Sequence, residues 1–71
     1  MEWVKIRMNT FFNYHLTDNK YKVVREIWET EKGYFYQMNE DKMISCISRF
    51  LKECNVYEIF KKHYDRIGRP L

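Results

Sequence analysis

Apolar side chains recur at every second position over the first sixteen residues of this chain. From residue 4 onwards, the even positions carry them in a series that only Thr10 breaks: Val4, Ile6, Met8, Phe12, Tyr14 and Leu16. Polar side chains such as Lys5 and Asn9 fall between them, while Trp3 and Phe11 depart from the alternation. Successive side chains of a β-strand point to opposite faces of the sheet, so this period predicts a long first strand.

Two turn-forming sequences divide the next part of the chain. Asp18 and Asn19 lie in residues 17–20, and such side chains hydrogen-bond their own backbone in turns. Residues 31–33 suit a type I turn that Gly33 closes in the left-handed region. Residues 21–30 and 34–38, rich in β-branched and aromatic side chains, would then pair as a hairpin. With the first strand, they predict a three-stranded antiparallel meander.

A helix is the competing interpretation of residues 20–32. Val24, Ile27, Trp28 and Glu31 also fit a helical spacing, and no Gly or Pro interrupts this run. Short apolar segments with mixed periodicity do not separate strand from helix. The sequence therefore leaves a helix over residues 20–32 open. If the segment is a strand, the sequence also does not decide which face of the sheet is core.

Helical spacing is clearer in the second half of the chain. Asn39 is a suitable N-cap, and Glu40 and Asp41 would place negative charge in the first turn of a helix. One apolar stripe follows at helical intervals: Met43, Ile44, Ile47, Phe50, Leu51 and Cys54. These features predict a first helix that begins directly after residue 39.

A second helix is predicted to follow with almost no linker. Asn55 and Glu58 have the spacing of a capping box, which makes Asn55 the expected N-cap. Apolar residues continue at helical spacing as far as Ile67, where Gly68 and Pro70 would end the helix. The predicted fold is therefore one α+β domain, residues 1–71, in which the meander is followed by two short helices packed on one face (βββαα).

The charge of the chain is unevenly distributed, although its net value is only +3. Residues 1–25 carry five basic and two acidic side chains, and residues 61–71 carry four and one. The middle, residues 26–60, carries four basic and seven acidic side chains. An acidic middle of this kind would suit a basic partner.

The sequence contains no pattern that predicts catalysis or metal binding. Cys46, Cys54 and His63 are spaced by eight and nine residues, which matches no zinc motif. Two cysteines eight residues apart on one helix lie about 12 Å apart, too far for a disulfide. His63 is expected in the core and His15 at the surface of a strand. We therefore expect no enzyme, no metal and no cofactor.

The cellular compartment of the protein is predicted from its hydropathy, its first residues and its cysteines. No apolar run approaches the roughly 18 residues that a membrane-spanning helix needs. The first residues lack the apolar region of a signal peptide, and the cysteines are expected to stay reduced. The sequence thus predicts a cytoplasmic protein without a membrane span.

Thirteen aromatic residues are more than two short helices could cover. Exposed aromatic clusters usually mark an interface. We therefore predict a protein-binding module with Trp28, Tyr34 and Tyr36 as anchors and Trp3 as a lesser one; burial in a homodimer is the competing explanation. Small size and a composition typical of AT-rich coding sequence suggest a phage or mobile-element inhibitor of a host nucleic-acid machine, such as a CRISPR nuclease, a restriction enzyme or a polymerase.

A nucleic-acid-binding protein is the alternative function. Basic side chains on neighbouring strands, with aromatic residues between them, would form a surface on which single-stranded bases stack. The residues predicted for this surface and for phosphate contacts are Lys5, Arg7, Lys20, Lys22, Arg25, Lys61, Lys62 and Arg66.

Overall fold

The computed structural model describes residues 2–65 and 69–70, with side chains over residues 2–65. The helices in this part of the chain are α1 (Glu2–Tyr14), α2 (Lys22–Tyr36), α3 (Glu40–Glu53) and α4 (Tyr57–His63). A 3₁₀ turn, Asn19–Tyr21, leads directly into α2. A two-residue strand after α4, β1 (Tyr64–Asp65), pairs antiparallel with β2 (Arg69–Pro70). The domain is therefore mostly helical.

The predicted βββαα arrangement, and the α+β class with it, is wrong. The residues assigned to the first strand form α1, and those assigned to the hairpin form α2. The expected hairpin turn at residues 31–33 lies inside α2. The competing interpretation, a helix over residues 20–32, is the one that the structure confirms.

Helix α1 explains why Phe11 departs from the alternating pattern. Its buried side chains are spaced as one face of a helix requires: Val4, Met8, Phe11 and Phe12. Phe11 thus faces the core, whereas Ile6 and Tyr14, which a strand with its even-numbered face in the core would bury, are 55% and 75% exposed. A separation of four residues is two repeats of a strand and about one turn of a helix. Positions 4, 8 and 12 consequently satisfy both periods.

Trp28 of α2 lies at the centre of the core and is fully buried. Its indole ring stacks on Phe12 of α1 with ring centroids 4.8 Å apart, and lies 6.1 Å from the ring of Phe50 in α3. The indole Nε1 donates a hydrogen bond of 3.4 Å to Asn9 Oδ1. One side chain therefore joins three helices.

A second aromatic group connects α1 to the C-terminal part of the domain. The Phe11 ring meets Phe60 of α4 edge-on at 5.2 Å and Tyr64 of β1 at 6.3 Å. Phe60 and Tyr64 in turn stack on each other at 5.2 Å. All three side chains are buried, so they fix α4 against the end of α1.

The start of α3 confirms the sequence prediction. Asn39 has extended backbone angles, and its Oδ1 accepts a hydrogen bond of 3.0 Å from the backbone N–H of Lys42. The helix then buries Met43, Ile47 and Leu51 along the predicted stripe. Capping and periodicity agree here, which is why the local sequence predicted this element correctly.

The capping role predicted for Asn55 is wrong, because this residue ends α3 instead of starting α4. Its φ of 59° lies in the left-handed region, which Asn tolerates better than most residues. Its N–H donates to the Lys52 carbonyl at 3.1 Å, and the Val56 N–H donates to the Leu51 carbonyl at 3.0 Å. These two bonds form a Schellman motif, in which Leu51 and Val56 are both buried.

Helix α4 is shorter than predicted. It begins at Tyr57 and ends at His63, since Tyr64 has extended backbone angles and enters β1. The predicted continuation through Tyr64 and Asp65 is wrong, because these two residues form β1. Ile67 and the predicted end at Gly68 fall outside the described residues. The turn between α3 and α4 brings Val56 and Phe60 into the core.

Gly33 provides a direct test of α2. It lies inside the helix, and no neighbouring heavy atom comes within 4 Å of the position that a Cβ would take. Gly inside a helix is about 1 kcal/mol less favourable than Ala. We expect Gly33→Ala to raise the free energy of unfolding by about 0.5–1 kcal/mol in urea denaturation. In a hairpin with Gly33 in the left-handed region, the same change would lower it.

Candidate functional site

An exposed apolar stripe runs along the outer face of α2. We call it the α2 stripe, and it consists of Val23, Ile27, Thr30 and Tyr34. Val23, Ile27 and Tyr34 are 65%, 39% and 61% exposed, unlike Trp28 and Phe35 on the core face of the same helix. The intervals of four, three and four residues are those of a coiled-coil seam. Helix α2 thus has one apolar face in the core and a second one in solvent.

Thr30 fits an apolar stripe because its hydroxyl is already bonded. The Oγ1 atom donates a hydrogen bond of 3.1 Å to the Glu26 carbonyl one turn earlier in the helix. The polar part of the side chain is therefore satisfied by the helix backbone, and the methyl group remains for contact with a neighbour.

Two carboxylates flank the α2 stripe. Glu26 and Glu31 are exposed and line a shallow groove together with Val23, Ile27 and Thr30. Neither carboxylate forms an ion pair with a described side chain, whereas Glu29 bonds Lys32 at 2.7 Å. The groove therefore combines an apolar floor with two negative charges that form no ion pair with the described residues.

The four residues predicted to bind a partner do not lie on one surface. Tyr34 belongs to the α2 stripe, and Trp3 is exposed on α1. Trp28 has no exposed area and Tyr36 is half-buried against the core, so we do not retain them as contact residues. Val23 and Ile27 were missed, although the heptad spacing from residue 23 to residue 34 would have found them once the segment was taken as a helix.

Tyr36 has a structural role between α1 and α2. Its ring lies under Lys5 of α1, with Nζ 5.2 Å from the ring centroid, and Lys5 also approaches Glu2 at 3.6 Å. Burial raises the pKa of Tyr36 to about 12, with smaller contributions from Glu29 and Glu2. The hydroxyl is buried and has no hydrogen-bond partner among the described residues. Tyr36 therefore stabilises the packing of α1 against α2, and little of its surface is available to a partner.

The basic residues predicted for nucleic-acid binding are not on neighbouring strands, as that hypothesis assumed. They are distributed over several helical elements: Lys5 and Arg7 on α1, Lys20 in the 3₁₀ turn, Lys22 and Arg25 on α2, and Lys61 and Lys62 on α4. Arg66 lies outside the described residues. Lys20 and Lys61 sit over the rings of Tyr21 and Tyr57 at 5.1 and 5.8 Å. Nucleic-acid binding stays a prediction, without the strand surface on which it was based.

The two histidines stack on each other where α1 and α4 end. The rings of His15 and His63 are 3.8 Å apart and inclined by 18°. Their surroundings differ from the prediction, since His15 is half-buried and His63 is exposed. Burial, followed by the charge of His63, lowers the pKa of His15 below its ordinary value of 6.5.

This pair predicts a loss of stability in mild acid. Because the folded-state pKa of His15 is the lower one, the unfolded chain binds a proton first as the pH falls. The contribution of His15 is thus complete well above pH 6.5 and declines as the pH falls through that value. We expect Tm to decrease between about pH 7.5 and 5.5, and His15→Gln to reduce this decrease. An equal decrease in the variant would assign it to other groups.

The cysteines and carboxylates form no reactive or metal-binding cluster in the described part of the chain. Cys46 and Cys54 are free, half-buried and packed against the core. Burial, and to a smaller extent Glu53, raises the pKa of the Cys54 thiol, which disfavours the reactive thiolate. No group of three or more potential metal ligands comes together among the described residues. The α2 stripe is therefore the strongest candidate for a functional site.

No helix within residues 2–65 is both long enough and apolar enough to cross a membrane.

No family model, curated protein or solved structure matches this chain. A function has to be argued from its own side chains.

Proposed function

We propose that this domain acts by binding another protein through the α2 stripe. The observation that carries the proposal is the row of exposed Val23, Ile27 and Tyr34 on a helix that already contributes Trp28 to the core from a different face. Leaving such side chains in water forfeits about 25 cal/mol per Å² of apolar surface. A continuous exposed row on a small domain is typical of an interface.

The biological role we propose for such a module is inhibition of a host nucleic-acid machine. Enzymes that hold nucleic acid expose basic surfaces, and the carboxylates of Glu26 and Glu31 would complement them. The cytoplasm is the compartment we propose, in keeping with the free thiols of Cys46 and Cys54.

The test compares two variants with equal numbers of removed apolar side chains. Val23→Ser/Ile27→Ser changes the α2 stripe, and Ile6→Ser/Tyr14→Ser changes exposed positions of α1. Tagged wild-type and variant proteins are used for capture from a bacterial lysate, followed by quantitative mass spectrometry. We expect about a tenfold loss of the captured partner for the α2 variant only, corresponding to about 1.4 kcal/mol.

Thermal unfolding of both variants confirms that each is folded before capture is compared. Equal capture by the wild type and the α2 variant would contradict the proposal. So would a loss confined to the α1 variant, which would place the interface on α1.

A further inference from the structure

We infer that the partner of the α2 stripe is an amphipathic helix of another protein, flanked by Lys or Arg. The inference deepens the proposed function and rests on it. It names the secondary structure and the charge of the segment that the stripe would accept.

The spacing of the α2 stripe matches a helix better than an extended segment. Val23 and Thr30 occupy the d positions of a heptad repeat, and Ile27 and Tyr34 occupy the a positions. The seam extends over about 16 Å, at 1.5 Å per residue. An extended peptide usually binds by adding to a sheet edge, and a helix such as α2 offers no free backbone edge of that kind.

The flanking charges determine which helix fits. With this heptad assignment, Glu26 takes the g position and Glu31 the e position beside the seam. Side chains at e and g positions contact the partner helix and select it by charge. Both carboxylates are exposed and unpaired among the described residues, so they are free to meet cations. A partner with Lys or Arg at its own flanking positions supplies them.

A second copy of the same helix is a poorer occupant. In a parallel pair, Glu26 of one copy would lie opposite Glu31 of the second copy, which is repulsive. In an antiparallel pair, Glu26 would face Gly33 of the second copy and Glu31 would face Val24, and neither of these residues carries a positive charge. Neither orientation neutralises the two carboxylates, whereas a basic helix does.

Two synthetic helical peptides of about three heptads serve as probes. Both have Leu and Ile in the seam, but one has Lys and the other Glu at every e and g position. Fluorescence anisotropy measures their binding to the full chain at low and high salt. We expect the Lys peptide to bind about fivefold to tenfold more tightly at low salt, with a smaller difference at high salt.

Two variants assign any such difference to the site. Glu26→Gln/Glu31→Gln should make the two peptides bind equally, and Val23→Ser/Ile27→Ser should weaken the binding of both. Both variants change exposed positions of α2, and thermal unfolding is used to verify that they are folded.

Three results would overturn the inference. Equal binding of the two peptides to the wild type would show that charge does not select the partner. Self-association in analytical ultracentrifugation that Val23→Ser/Ile27→Ser abolishes would make a second copy the occupant. Failure of both peptides, while the same variant still loses the captured partner, would mean that the partner is not a helix of this kind; the proposed function would then stand. If capture is also unchanged, the proposed function fails too.

Discussion

Trp28→Ala is expected to abolish the cooperative folding of this domain. Trp28 is fully buried, stacks on Phe12 at 4.8 Å and is hydrogen-bonded to Asn9. Removing a buried Trp side chain leaves a large cavity and costs about 3–5 kcal/mol. A single core in a chain of this size rarely supplies more than about 3–5 kcal/mol in total. Circular dichroism should therefore show no cooperative thermal transition for the variant.

Tyr34→Ala is the matched control for Trp28→Ala on the same helix. Its side chain is exposed in the α2 stripe, so we expect the free energy of unfolding to change by no more than about 0.5 kcal/mol. A Trp28→Ala variant that melts like the wild type would contradict the core position of the indole. It would instead support the sequence-based prediction that Trp28 contacts a partner.

Phe11→Ala is expected to cost about 3–4 kcal/mol of unfolding free energy, which is most of the stability of a domain of this size, so its urea transition should move close to zero denaturant. Phe11 is fully buried and touches the rings of Phe60 and Tyr64, so it carries much of the contact between α1 and the C-terminal segment. Its loss should loosen α4 as well as α1. Hydrogen exchange at the amides of α4 should then accelerate along with that of α1.

Tyr14→Ala tests the same helix at an exposed position. In a strand whose even-numbered face is the core, Tyr14 would point inward and Phe11 outward, so Tyr14→Ala would be the costly change. In α1, Tyr14 is exposed, and we expect its replacement to change stability by no more than about 0.5 kcal/mol. The order of the two effects therefore distinguishes helix from strand by stability alone.

Core and candidate interface lie on different faces of one helix, which makes the two kinds of experiment independent. Trp28 and Phe35 contribute to the core, whereas the α2 stripe contributes no fully buried side chain. Loss of partner capture in Val23→Ser/Ile27→Ser can thus be attributed to binding, provided that the variant unfolds cooperatively. The double change of Trp28 and Tyr36 to Ala would not permit this distinction, because Trp28 lies in the core and Tyr36 packs against it.

The candidate site could be predicted only in part. Tyr34 was predicted as an anchor and is exposed, but it was grouped with Trp28 because a strand places even-numbered residues on one face. On a helix, six residues correspond to about 600° of rotation, which turns the two side chains about 120° apart. Val23 and Ile27 share a face with Tyr34 in a helix but not in the predicted strands.

By itself, the sequence determined α3, where the Asn39 cap, the acidic first turn and the apolar stripe all indicate the same helix. It also determined that a turn follows residue 54, although not that Asn55 would end α3 instead of starting α4. The tertiary structure decided the first half of the chain. Val4, Met8 and Phe12 recur every four residues, which suits a strand and a helix equally, so local periodicity could not choose between them. The choice followed from packing, because only a helix turns Phe11 towards Phe60 and Phe12 towards Trp28 from adjacent positions.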